Sequence, residues 1–309
     1  MTKGVKNLFF ILGIAATFAF PKVLYAYPIF AQNAYENPRE ATGRIVCANC
    51  HLAQKPTEIE APKAVLPNTV FEVSVQVPYD LSSKQITGGG TEGPLNVGAL
   101  LVLPEGFKLA PKDRIPTEIK EKTKGVIIQP YSKTQDNILV VGPISGDKHQ
   151  KIIFPVLSPD PAQNKKVNYL NYPIYAGGNR GRGQVYPTGE KSNNTVYTSA
   201  EAGIITSIEP LAKGARSIVI KTDESSVAQT IPAGLVISVK VNDIIKVGQN
   251  LTLDPNVGGF GQAETGIILQ DPNRVKGMII FFFTVTLAQI LLVLKKKQFE
   301  KVQAAEMNF

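Results

Sequence analysis

The chain is poor in the residues that usually hold metals: among 309 residues there are two cysteines, two histidines and three methionines. Both cysteines, Cys47 and Cys50, fall in one short motif, so no thiol remains for a disulfide or a metal site elsewhere. A structural zinc site needs four thiolate or imidazole ligands, and His51 and His149 are the only imidazoles. A concentrated basic stripe is also missing. The formal charge of +8 includes Lys3, Lys6 and Lys22 of the first segment, and without them 30 basic residues face 25 acidic ones. That surplus is too thin for a nucleic-acid footprint, although it can assist encounter with an acidic protein.

What is present is Cys47-Ala-Asn-Cys50-His51. The C-x-x-C-H pattern is that of c-type haem attachment, in which both thiols bond the porphyrin vinyl groups and the histidine ligates iron. A thioredoxin-like dithiol should open a helix within a βαβ unit, and the flanks here do not read that way. Covalent haem is the reading these residues favour, with disulfide chemistry as the alternative.

Thioether attachment takes place across a membrane, and both ends of the chain carry translocation features. Residues 1–26 combine Lys3 and Lys6, an apolar run from Leu8 to Phe20 and the small residue Ala26. This is the layout of a cleaved signal peptide, with Leu24 in place of the usual small residue before the cleavage site. Cleavage after Ala26 makes Tyr27 the new N-terminus. Near the other end, Gly277 to Leu294 carries no charge and is followed by Lys295-Lys296-Lys297. At about 1.5 Å per residue such a helix approaches the roughly 30 Å of a bilayer's hydrocarbon. The lysine block places residues 295–309 on the side of synthesis and the remainder across the membrane. Gln289 and the two threonines of the span are suited to packing against other helices.

The translocated part, about 250 residues, is long enough for one large or two smaller cores. Its texture is β. Phe71, Val73, Val75 and Val77 alternate with polar residues, which marks a strand with one wet face. Gly98–Leu103, Ile138–Val141, Ile152–Leu157 and Ser217–Lys221 are further candidates, and Leu235, Ile237, Val239 and Val241 alternate again. No long amphipathic helix is expected outside the membrane. Domain boundaries are expected in the glycine-rich region 177–194 and near 256–261. The segment 234–251 looks like half of a lipoyl-type sandwich but lacks the lysine turn that carries an acyl group, so it reads as structural.

A second axial iron ligand is commonly methionine or histidine. Met1, Met278 and Met307 lie in the leader, the span and the tail, and His149 sits in the charged stretch 146–151. Lysine would have to lose its proton from a reference pKa near 10.4, whereas an α-amino group titrates near about 8. His149, a lysine and the amine of Tyr27 all stay open on these grounds, the last at the lowest cost.

Four stretches, Tyr27–Gln32, Cys47–Lys55, Gly177–Pro187 and the tail from Lys295, resemble the cytochrome f family of the cytochrome b6f complex, and the likeness runs the length of the chain. The resemblance implies an all-β fold: an elongated large β-sandwich domain over 27–194, with 257–276 returning to it, a small β domain over 195–256, a transmembrane helix over 277–294 and a stromal tail. It implies one haem c, bonded to Cys47 and Cys50, with His51 and the α-amino nitrogen of Tyr27 as axial ligands. Pro28, Phe30, Tyr186 and Pro187 would shield the haem. Gln85, Asn179, Gln184, Asn194 and Asn256 would hold a buried water chain.

In function, the resemblance implies a one-electron carrier in the thylakoid membrane of a chloroplast or cyanobacterium. Electrons would come from the Rieske iron-sulfur protein, in a complex that includes cytochrome b6, and pass to plastocyanin or a soluble c-type cytochrome in the lumen. Lys84, Lys213 and Arg216 match a basic docking ridge. Gly88-Gly-Gly-Thr-Glu92 stands where green-algal relatives carry a lysine pair, so a weaker patch is expected. The competing class is a haem enzyme such as a peroxidase, whose sixth iron site opens in turnover; a haem-free adhesive β protein is a third. Gly178, Gly181 and Gly183 lack the strand-to-helix setting of a phosphate loop. The glycosylation sequons at Asn193 and Asn250 carry no meaning in a chloroplast lumen.

Overall fold

The structure, a computed structural model, describes residues 28–307. The leader 1–26 and Tyr27 lie outside the described residues.

Strands dominate, as the alternating patterns predict. Val70–Gln76 turns Phe71, Val73 and Val75 inward and pairs antiparallel with Lys151–Leu157 over seven positions. Glu58–Glu60 and Lys108–Leu109 flank this pair in a four-stranded sheet. A six-stranded sheet runs in the order Ala64–Val65, Gly259–Leu269, Asn171–Arg180, Asn96–Val102, Gln135–Ser145, Ile128–Ser132. The two sheets share one apolar cluster, in which Val73, Val75 and Phe154 of the first meet Leu101, Leu139, Ile174 and Ile267 of the second. Each such side chain contributes about 1.5–3 kcal/mol when fully buried.

A second core belongs to a four-stranded sheet built from Ser226–Ile231, Arg216–Lys221, Gly203–Pro210 and Ile244–Ile245. Ile205, Ile218, Ile220, Ile231 and Leu251 fill it. The chain then returns at Gly259–Leu269 to pair with Asn171–Arg180 over ten positions. Two details depart from the sequence patterns. The alternating segment around Ile237 is not a ladder strand: one isolated bridge joins Ile237 to Thr252, and Val241 is exposed. The glycine-rich region begins inside a strand, because Gly177 and Gly178 have to lack side chains there. A Cβ on Gly177 would lie 2.5 Å from Phe260, and one on Gly178 would lie 2.7 Å from Val77.

The helix Pro272–Glu306 starts with Asp271 as its N-cap, whose carboxylate accepts from the Asn273 amide at 2.8 Å, and with proline in its first turn. Its apolar stretch has a mean hydropathy of 2.4, and none of that window is buried against the rest of the protein. Thr284 and Thr286 donate to the carbonyls of Ile280 and Phe282 at 2.8 Å, so both hydroxyls are satisfied within their own helix. The helix continues through the lysine block.

Candidate haem site

Ile45 and Val46, both buried, pin the start of a 3₁₀ turn over Val46–Asn49. Within it the amides of Cys50 and His51 donate to the Cys47 carbonyl at 3.2 and 3.0 Å, which draws the three functional residues round one turn. Two glutamines distant in sequence, Gln184 of a loop and Gln262 of the strand Gly259–Leu269, hold the turn from outside. The Cys50 carbonyl accepts from the Gln184 amide at 2.8 Å, and the Gln184 side-chain oxygen accepts from the Leu52 amide at 2.9 Å. The Gln262 side-chain oxygen accepts from the Ile45 amide at 3.1 Å.

His51 is buried; among the described residues its Nδ1 has no hydrogen-bond partner, and its Nε2 has one long contact, 3.4 Å, to the Asn179 amide nitrogen. Burial first, and the positive Arg180 second, push its pKa down to about 4, so the ring is neutral near pH 7, the form that ligates metals. Burial also pushes the Cys47 thiol up to about 12 and raises that of Cys50. Both cysteines are free. Such protonated thiols are poorly suited to disulfide exchange, which needs a thiolate.

The wall beside the turn is apolar: Ile45, Leu100, Ile138 and Phe260, with Tyr131, pack against Ala31, Cys47 and Ala48. Ala31 belongs to the short helix Ile29–Ala34, which buries no residue fully and has no side-chain cap. Tyr131 fastens it. The Tyr131 hydroxyl lies 2.7 Å from the carbonyls of both Ala31 and Tyr35, and the Gln32 amide group donates to the Tyr131 carbonyl at 2.6 Å. Asn49 donates to the Tyr35 hydroxyl at 3.0 Å, which closes the link to the haem motif.

Two residues that sequence reasoning missed stand here, Tyr131 and Arg180. Arg180 is 1% exposed and, among the described residues, has no acidic partner; Nη2 donates to the Pro56 carbonyl at 2.5 Å, while Nε and Nη1 find no partner there. Burial lowers its pKa to about 10, so it remains charged at neutral pH. Its signal in sequence is slight: one arginine in a glycine-rich stretch whose composition suggests a loop, whereas the strand Asn171–Arg180 ends on it.

The other expected site residues fall into three groups. Gln85, Gln184 and Asn194 are buried and converge on the backbone of residues 181–184 and Gly258: Gln85 accepts from the Arg182 amide at 2.8 Å, and Asn194 donates to the Arg182 carbonyl at 2.8 Å. Asn179 stands beside His51. Asn256 is not among them; it is exposed, with a left-handed φ of 44°, and accepts from the Lys55 ammonium at 2.9 Å. Pro28 and Phe30 are half-buried, whereas Tyr186 and Pro187 are exposed, the Tyr186 hydroxyl accepting from Arg182 at 2.8 Å. Lys84, Lys213 and Arg216 are all exposed. The loops bearing Lys84 and Lys213 approach the same residue, Ala233, which a Cβ on Gly90 would meet at 2.5 Å and one on Gly214 at 3.4 Å. Asn193 ties that seam by donating to the carbonyls of Thr87 and Ala233 at 2.8 and 3.0 Å.

A haem fits these residues. The neutral imidazole has a buried ring nitrogen without a partner among the described residues, two free thiols precede it on one turn, and the adjoining wall is apolar. Among the described residues, no three His, Cys, Asp or Glu side chains group as an ion site. Fold and site together define a membrane-anchored β protein with a c-type haem motif.

Comparison with known proteins gives the family. Apocytochrome F, N-terminal, matches residues 27–181, and Apocytochrome F, C-terminal, matches residues 193–309. Cytochrome f of Emiliania huxleyi is 65% identical over all of this chain and 99% of its own length. Cytochrome f of Porphyra purpurea is 63% identical over 94% of this chain and 91% of its own, and that of Physcomitrium patens 59% over 94% and 92%. The chain belongs to the cytochrome f family. Membership carries an electron-transfer role in the cytochrome b6f complex of photosynthesis, haem c as cofactor and a single-pass place in the thylakoid membrane.

Proposed function

We propose that this chain accepts single electrons from the Rieske iron-sulfur protein and passes them to plastocyanin or a soluble c-type cytochrome, making and breaking no substrate bond itself. The observation that carries the reading is the buried, neutral His51, with a ring nitrogen that has no partner among the described residues, directly behind two free cysteines. Cys47 and Cys50 would hold the haem by thioethers. His51 would supply one axial nitrogen, and the α-amino group of Tyr27, freed by cleavage after Ala26, the other. Haem c would supply a one-electron iron couple, and with the His51 and Tyr27 nitrogens both bound to it the iron would offer no site to oxygen or peroxide.

The chain's own residues set the surroundings. Ile45, Leu100 and Phe260 exclude water from one side of the turn, and Tyr131 holds the segment after Tyr27 against it. Pro28, Phe30, Tyr186 and Pro187 would complete the shield. Gln85, Asn179, Gln184 and Asn194 offer polar groups to a water chain, and Asn256 would join it only from the surface. Lys84, Lys213 and Arg216 would steer an acidic carrier by long-range attraction, which speeds encounter more than it tightens binding. The part before the helix would face the lumen, with cytochrome b6 among the neighbours in the membrane. Protease added to the stromal side of sealed thylakoids should then cut only the tail after Leu294; loss of the β domains would reverse the orientation.

A redox titration with a carbon monoxide challenge tests the function. A single one-electron wave and a low-spin spectrum unmoved by carbon monoxide are expected. Rapid binding of the gas would favour the peroxidase-like class.

A further inference from the structure

Four large apolar side chains near one end of the sandwich stand exposed among the described residues. Leu66, Tyr169, Leu170 and Ile268 are exposed by 45, 41, 54 and 43%. Drawn from three separate parts of the sequence, they are gathered by the end of the strand Gly259–Leu269. Ile268 pairs with Ala64 on one side and Asn171 on the other. The Leu269 amide donates to the Leu170 carbonyl at 3.0 Å, and the Gln270 amide to the Val65 carbonyl at 2.9 Å. Three residues past Leu269 the long helix begins at Pro272. The apolar group therefore surrounds the point where the chain leaves the sandwich for its membrane helix.

The depth of that point follows from the helix. Its uncharged stretch begins at Gly277, about 8 Å along the axis from Pro272 at 1.5 Å per residue. The headgroup layer on each side of a bilayer is about 5–7 Å thick, from a total of roughly 40–45 Å less about 30 Å of hydrocarbon. The end of the strand thus stands at the outer edge of the headgroups, within reach of leucine and tyrosine side chains, and any helix tilt brings it closer. The chemistry suits that level. Tyrosine favours the membrane-water interface, and the exposed Lys63, Lys165, Lys166, Arg274 and Lys276 near the group in sequence can meet lipid phosphates and other anionic headgroups.

We propose that Leu66, Tyr169, Leu170 and Ile268 form a collar that enters the headgroup layer and seats the β sandwich on the bilayer beside its own anchor. The inference deepens the membrane-anchor reading and rests on the helix spanning the bilayer. Its occupant is lipid because the collar is continuous with the one element already committed to the membrane.

The absence of tryptophan from the sequence makes the test direct. Leu170→Trp and, separately, Leu66→Trp are introduced into the full haem-loaded chain and reconstituted in phosphatidylcholine vesicles, with or without lipids brominated high on the acyl chain. Ile244→Trp, at a position 78% exposed on the smaller sheet, serves as the control. Comparing brominated with plain lipid in the same variant cancels quenching by the haem. Blue-shifted emission and loss of intensity to bromine are expected for the two collar variants, with neither for Ile244→Trp. Water-like, unquenched emission from both collar positions, or equal quenching at all three, overturns the collar. Carbonate extraction separates the two readings: a chain that stays in the vesicles with an unquenched collar keeps its span and loses the seat, whereas a chain that washes out loses both.

Discussion

His51 titrates against its surroundings. Its folded pKa of about 4 lies below the ordinary 6.5, so between these values the unfolded chain takes up a proton that the folded chain refuses. Stability that is full above pH 6.5 therefore falls as the pH drops through 4, by about 3 kcal/mol. Denaturant titrations of the haem-free chain should show this slope, and His51→Gln should remove it; a slope that survives the substitution assigns it to other groups. Arg180 acts from the same neighbourhood. It keeps its charge at neutral pH with no ion-pair partner among the described residues, and if His51 binds the haem iron as proposed, a fixed cation beside it favours the less positive, reduced iron. Arg180→Met should lower the midpoint potential of the haem-loaded protein while leaving the low-spin spectrum in place. An unchanged midpoint with that spectrum intact would deny Arg180 the role.

At the scale of elements, the helix Ile29–Ala34 depends on a residue about a hundred positions away. Tyr131→Phe leaves the carbonyls of Ala31 and Tyr35 without their shared donor, a loss of about 1 kcal/mol. Amide exchange should quicken over residues 29–35 while the central strands stay protected; uniform exchange across the chain would mean that Tyr131 supports the whole sandwich instead. This helix was not legible in the sequence, because Ile-Phe-Ala-Gln-Asn-Ala has no side-chain cap and no periodic face, and its single turn of backbone bonds relies on tertiary contacts to persist. Strands such as Val70–Gln76 and Lys151–Leu157 were legible, since alternation or a β-branched apolar run records burial directly. The segment around Ile237 shows the limit of that signal: Leu235, Ile237 and Val239 do pack on the second core, but sidedness alone does not create a neighbour to pair with along the whole segment.

At the scale of the molecule, the haem motif was readable because the two proposed attachment cysteines and the proposed ligand His51 lie within five residues of sequence. The helix near the C-terminus was readable from an uncharged run and the lysines after it. Arg180 and Tyr131 were not, since what they do depends on strands and turns brought together from across the chain. The account turns on the second axial nitrogen, which the reading assigns to an amine that exists only after processing. The most direct measurement compares electron paramagnetic resonance and optical spectra of the mature protein with those of a variant that retains residues 1–26. Low-spin, six-coordinate signals are predicted for the mature form and altered ligation for the uncleaved one, where the Tyr27 nitrogen is an amide with no lone pair to give. Identical spectra from both forms would contradict the account.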